Sequence, residues 1–108
     1  MNKSARNSQS SLAFLEKLEK VIQDRIANPA ADSYVAGLLR DGNRRRAQKV
    51  GEEAVELAIA ATAGDRQEQI DEAADLLFHL LVLLNCNGIR IADVTDVLQR
   101  RQQQRPTV

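Results

Sequence analysis

The residues whose spacing could support chemistry are Lys49, Glu52, Glu53 and Glu56, followed farther along the chain by Glu72 and Asp75. Residues three and four apart share a helix face, so the first four crowd one stripe and the last two form a second acidic pair. With Glu53 set at zero and a step of about 100° per residue, Glu56 falls at about −60° and Lys49 at about −40°, while Val50, Ala54, Leu57 and Ala61 fall between about 40° and 100°. The carboxylates therefore stand at the border of the apolar face. Like charges placed there repel one another and resist desolvation, and a hard divalent cation relieves both penalties. A pair of carboxylates from each of two adjacent helices suits Mg²⁺, which takes oxygen ligands and retains several waters. The alternative is a solvated surface on which Glu52, Glu53 and Glu56 pair with nearby Lys or Arg. That alternative is weaker for Glu72 and Asp75, because their helix is apolar from Leu76 onward.

Arg44, Arg45, Arg46 and Lys49 make the dense basic cluster of the chain, at the start of the helix that carries the first acidic stripe. Helix N-termini favour anions and Arg grips phosphate through paired donors, so Arg45, Arg46 and Lys49 are candidate phosphate contacts. The arginines could equally just solvate a turn. Lys49 projects along the carboxylate stripe one turn before Glu53, where it can bridge a metal and a phosphate. His79 lies one turn after Asp75, and a lone His in an apolar helix is more often a hydrogen-bonded core residue than a ligand. Leu76 stands where a Glu-x-x-His iron site would need Glu. Tyr34 either packs its short helix or contacts a nucleotide.

The elements that must position these groups are all helical. Leu12, Leu15, Leu18, Ile22 and Ile26 recur at helical steps and stop at Asn28-Pro29. Asp32-Ser33 can cap a short helix that ends at Asp41-Gly42. The third helix spans roughly 43–63, and Gly64 ends it. Asp65 with Glu68 opens a fourth helix that runs to Asn87 and Gly88, and a fifth covers roughly 92–103. No stretch alternates with period two long enough to be a strand, so the fold class is all-α, a bundle of about five helices. Leu76, Leu77, Phe78, Leu80, Leu81, Val82, Leu83 and Leu84 wrap the whole circumference of the fourth helix. Such a helix must be buried all round, and a second copy of the chain is expected to cover it, giving a homodimer. Residues 11–104 read as one helical domain, between a polar tail over 1–10 and a short tail over 105–108.

The chain has 108 residues, enough for one modest core. Its 15 basic and 15 acidic residues balance, which argues against general attraction to nucleic acid or membrane. One cysteine, Cys86, rules out an internal disulfide and fits a reducing compartment. The first residues lack an apolar core of the signal-peptide type, and the apolar run from Leu76 to Leu84 is too short for a membrane span. A soluble, cytoplasmic protein is expected.

Ser33-Tyr34-Val35-Ala36-Gly37-Leu38-Leu39, Ala47-Gln48-Lys49-Val50-Gly51-Glu52-Glu53-Ala54-Val55-Glu56 and Glu72-Ala73-Ala74-Asp75-Leu76-Leu77-Phe78-His79 resemble the phosphoribosyl-ATP pyrophosphatase family of histidine biosynthesis. The likeness runs from about Leu12 to Arg101, with Val35 and Gly37 departing from the usual Thr and basic residue. It implies Mg²⁺-dependent hydrolysis of phosphoribosyl-ATP to phosphoribosyl-AMP and pyrophosphate. It further implies Glu53, Glu56, Glu72 and Asp75 as metal ligands, Glu52 as a further ligand or base, and Lys49 beside the departing phosphates. A fused cyclohydrolase domain is not expected in this chain. Two other readings stand beside this one. One is a house-cleaning pyrophosphohydrolase acting on dUTP or damaged nucleoside triphosphates through the same carboxylates; the other is a non-catalytic helical dimer.

Overall fold

The structure is a computed structural model that describes residues 3–105. Among the described residues there are four helices and no strand: α1 (Lys3–Ala27), α2 (Tyr34–Ala63), α3 (Arg66–Cys86) and α4 (Ile91–Gln104). The expected count of about five is corrected to four, because the helices expected on either side of Gly42 run as one bent element. Only Gly42 leaves helical space, with φ 86° and ψ 169°, a conformation open to glycine and strained for other residues. Asn43 bonds Asn87 at the end of α3 while Tyr34 returns to His79 two turns earlier, so the chain doubles back at this one residue. Arg46 braces the bend from its C-terminal side, its Nη1 donating to the carbonyls of Leu38 at 2.9 Å and Leu39 at 3.2 Å. Of the tail expected over 1–10, residues 3–10 instead form the start of α1, while 1–2 and 106–108 lie outside the described residues.

The helix ends follow local chemistry. Ser33 caps α2 by accepting from the Ala36 N–H at 3.0 Å, and Asp65 caps α3 by accepting from the Glu68 N–H at 2.8 Å. After α3 the chain turns through Gly88, φ 74°, and the Ile89 N–H returns to the Leu84 carbonyl at 2.9 Å. α3 and α4 are bent from one another by 105°.

The short Gly64-Asp65 turn folds α3 back along α2, which makes these two helices the main packed pair. A methyl group on Gly64 would stand 3.0 Å from the Ala60 carbonyl oxygen, so a side chain there would crowd the turn. The core is a cluster of Ile22, Leu38, Leu81 and Val82, with Leu18, Ile26, Phe78, Cys86 and Ile91 packed around it. It sits at one end of the α2–α3 pair, toward α1. Of the apolar stretch of α3, only Leu81 and Val82 are fully buried, and Leu76, Leu77, Phe78, Leu80, Leu83 and Leu84 remain half-buried. One copy of the chain therefore does not bury α3 all round. No single helix among the described residues is long and apolar enough to cross a membrane.

Candidate active site

Glu56 and Glu72 lie equally far along the chain from Gly64, so folding back at that turn sets them level on adjacent helices. Glu53 joins them from one turn earlier on α2. One carboxylate oxygen from each of Glu53, Glu56 and Glu72 lies within 4.8 Å of the others. Glu53 is only 7 % exposed, Glu72 is half-buried and Glu56 faces solvent.

Lys49 supplies one cation to this group, with Nζ 3.4 Å from Glu53 Oε1 and 3.8 Å from Glu52 Oε2. It leaves Glu53 Oε2 and Glu72 Oε2 buried and without a hydrogen-bond partner. Unpaired buried carboxylate oxygens are costly, and two of them in one acidic cluster make a place that a cation would stabilise. The donor set is all oxygen, open on the Glu56 side, and so fits a hard divalent ion that keeps some of its water. Glu53, Glu56 and Glu72 are the residues that could hold it.

The other residues read from the sequence are distributed around this centre. Asp75 is exposed one turn beyond Glu72 and lies outside the 4.8 Å group. Glu52 points to the solvent side of α2, where it accepts from Gln48 Nε2 at 2.8 Å and pairs with Arg45 Nη1 at 3.5 Å. Arg46 is turned to the carbonyls at the bend. Tyr34, Arg45 and Lys49 line one groove of about 370 Å³ together with Ser33, Gly37, Leu38 and Asp41. The groove and the carboxylates share Lys49.

His79 is the core residue its spacing suggested, 8 % exposed, but it is not an isolated one. Its Nδ1 lies 2.8 Å from the Asp75 carbonyl and its Nε2 2.7 Å from the Tyr34 hydroxyl. A contact spanning 45 residues leaves no periodic trace in the sequence. A second polar network was likewise not foreseen. Buried Glu19 of α1 accepts from Asn85 Nδ2 at 3.0 Å and from the Ile91 N–H at 2.7 Å, while Gln23 Nε2 donates to Asn85 Oδ1 at 2.9 Å.

Residues 15–102 match the family described as phosphoribosyl-ATP pyrophosphohydrolase. The chain belongs to this family. It is 50% identical over 93 residues to the phosphoribosyl-ATP pyrophosphatase of Pyrobaculum arsenaticum, covering 86% of this chain and 99% of that protein. It is 46% identical over 99 residues to a histidine biosynthesis bifunctional protein of Photobacterium profundum, covering 92% of this chain and 48% of the relative. The corresponding bifunctional protein of Vibrio cholerae is 46% identical over 95 residues, or 88% of this chain and 45% of its own length. The chain thus spans about half of the bifunctional relatives and nearly all of the Pyrobaculum protein. The Ser33–Leu39, Ala47–Glu56 and Glu72–His79 blocks that carry the family resemblance all lie within the matched residues.

Proposed function

We propose that the chain is a phosphoribosyl-ATP diphosphatase, a cytoplasmic enzyme that hydrolyses phosphoribosyl-ATP to phosphoribosyl-AMP and pyrophosphate with Mg²⁺. The observation that carries this reading is the cluster of Glu53, Glu56 and Glu72, with two buried oxygens lacking partners and Lys49 at its edge. Family membership supplies the substrate. Glu53, Glu56 and Glu72 hold the metal, and Asp75 completes the set from the exposed side of α3. An ion held by these carboxylates would supply polarisation of a phosphoryl oxygen and activation of water.

The chain's own residues then have separate tasks. Lys49 and Arg45 line the groove that approaches the carboxylates, so they receive the phosphates and offset charge on the departing pyrophosphate. Glu52, held in place by Gln48 and Lys49, or Glu53, through its unpaired oxygen, takes the proton of the attacking water. Arg46 acts by bracing the bend that carries the groove rather than by touching substrate.

The working unit in this reading is a homodimer. The chain exposes 7975 Å², against about 6,000 Å² for a compact monomer of this mass. Its radius of gyration is 15.9 Å, against about 13 Å for a compact chain of this length. The half-buried face of α3 and the exposed Val55 and Ile59 of α2 are apolar surface for a second copy. Sedimentation of the purified protein at twice the monomer mass is the expected result.

Pyrophosphate release from phosphoribosyl-ATP, compared with dUTP and dATP, tests the activity. Turnover of dUTP in preference to phosphoribosyl-ATP would replace this reading with a nucleotide house-cleaning one. Complementation of a histidine-requiring strain lacking this step by the wild type, and not by Glu53→Gln, is the matching result in cells.

A further inference from the structure

Tyr34 is oriented against the usual habit of its residue type. A tyrosine at a surface normally buries its ring and leaves the hydroxyl to water. Here the hydroxyl is turned inward onto a buried histidine, 2.7 Å from His79 Nε2, while the residue as a whole is 54 % exposed. His79 is tied at its other nitrogen to the Asp75 backbone carbonyl at 2.8 Å. A carbonyl can only accept, so Nδ1 carries the proton; in the neutral ring Nε2 then offers a lone pair and the Tyr34 O–H donates to it. Phe78 and His79 brace the tyrosine from the α3 side, with ring centroids at 6.1 Å and 5.7 Å. The groove lies beside it, lined also by Gly37, Asp41, Arg45 and Lys49, and Lys49 reaches Glu53 at 3.4 Å. Gly37 presents no side chain to the groove.

We propose that His79 is a positioning residue for substrate: by holding the Tyr34 hydroxyl it fixes the tyrosine ring as a wall of this groove, against which the purine of the nucleotide packs while its phosphates extend along Lys49 toward the carboxylates. The proposal rests on the nucleotide-hydrolase reading and adds where the base lies and what orients its platform. A groove of about 370 Å³ suits a nucleoside portion. A ring held at both its hydroxyl and its edge loses little freedom on stacking, which is the advantage of fixing it beforehand.

The test compares wild type with Tyr34→Ala, Tyr34→Phe, His79→Leu, His79→Gln and the Tyr34→Phe/His79→Leu double variant. Calorimetric binding of ATP and of inorganic pyrophosphate, both with Mg²⁺, is measured beside steady-state kinetics on phosphoribosyl-ATP. Tyr34→Ala is expected to weaken ATP binding and raise KM by about tenfold or more, the scale of one lost base–aromatic stack. Tyr34→Phe and His79→Leu each raise both by about threefold to tenfold with kcat nearly unchanged, and the double variant is no worse than the weaker single one, because both remove one interaction. His79→Gln, which keeps an acceptor near the hydroxyl, recovers most of the loss. Pyrophosphate, which has no base, binds all variants as it binds wild type.

Equal weakening of ATP and pyrophosphate would mean a merely structural role and overturn the proposal, as would unchanged ATP affinity in Tyr34→Phe and Tyr34→Ala. Should His79→Leu fail to fold, the Tyr34 variants decide the matter, since Tyr34→Phe keeps the ring. If wild type does not turn over phosphoribosyl-ATP but ATP binding still falls selectively in the variants, the activity assignment fails and the positioning role stands. If wild type binds no ATP, the proposal is overturned.

Discussion

The ammonium of Lys49 lies 3.4 Å from one oxygen of Glu53, and the other oxygen of the same carboxylate is buried with no partner. One cation therefore serves a residue that has room for two. Glu53→Gln keeps the shape and removes the charge that a divalent ion needs. Its kcat is expected to fall by at least about a hundredfold, with the fold and oligomeric state retained by circular dichroism and sedimentation. A variant with near-normal turnover would move the metal site away from Glu53.

Metal binding should be visible without any assay of activity. An ion bound only by the folded chain adds stability by mass action, about 2.7 kcal/mol when its concentration is a hundred times its Kd. Thermal unfolding of the wild type is expected to shift upward as Mg²⁺ is raised and to return when the metal is chelated. Glu72→Gln, which removes the charge from the second buried oxygen, should flatten that response while leaving the metal-free transition in place or slightly higher, since like-charge repulsion within the cluster falls.

Glu19 ties three helices at one point, because a single oxygen accepts from Asn85 on α3 and from the first N–H of α4. Glu19→Ala leaves both donors short of an acceptor in a part-buried setting, at a cost of about 2 kcal/mol. A lowered melting temperature with unaltered kcat at moderate temperature is the expected pattern. No change in the melting curve would show that the corner between α3 and α4 is held by packing alone.

Burial pushes the Cys86 thiol up from its ordinary value, and the nearby Arg46 charge, which lowers it, does not cancel that effect. The thiolate fraction at neutral pH is thereby reduced. Alkylation by iodoacetamide is expected to be slow in the native protein and to speed up in denaturant, and the native rate should climb only at strongly alkaline pH. Rapid native modification at pH 7 would contradict the burial.

Gly42 is bent into a conformation that side chains rarely adopt, although a methyl group there would meet nothing within 4 Å. Gly42→Ala therefore isolates backbone strain from crowding, and a loss of about 1–3 kcal/mol is expected on unfolding in urea. Because the bend sets the groove relative to the acidic stripe, KM should rise more than kcat falls. An Ala variant as stable as wild type would mean that the kink costs a side-chain-bearing residue nothing.

Much of this molecule is local, and local features are legible. Apolar steps of three and four, Ser33 and Asp65 as caps, and Gly64 and Gly88 as stops depend on neighbours a turn away, so the chain alone marked these helix ends, though not the start of α1 at Lys3. The acidic stripe on α2 is likewise a property of one helix, and the grouping of Glu53 and Glu56 with Glu72 follows once the short turn at Gly64 folds α3 back on α2. Family membership was also readable, since the blocks around Tyr34, Lys49 and Glu72 are contiguous runs of residues.

Tertiary structure decided what depends on separation in sequence. How the stretches on either side of Gly42 pack on one another was settled by Arg46 reaching back to the carbonyls of Leu38 and Leu39, a contact with no periodic signature. The partnership of Tyr34 with His79, and of Glu19 with Asn85 and Ile91, joins residues whose neighbours in the chain say nothing of one another. Residue type reveals that a hydroxyl, an imidazole or a carboxylate wants a partner. Only packing of the helices chooses which one, because that choice is made by distances of a few ångströms across the interior and not by spacing along the chain.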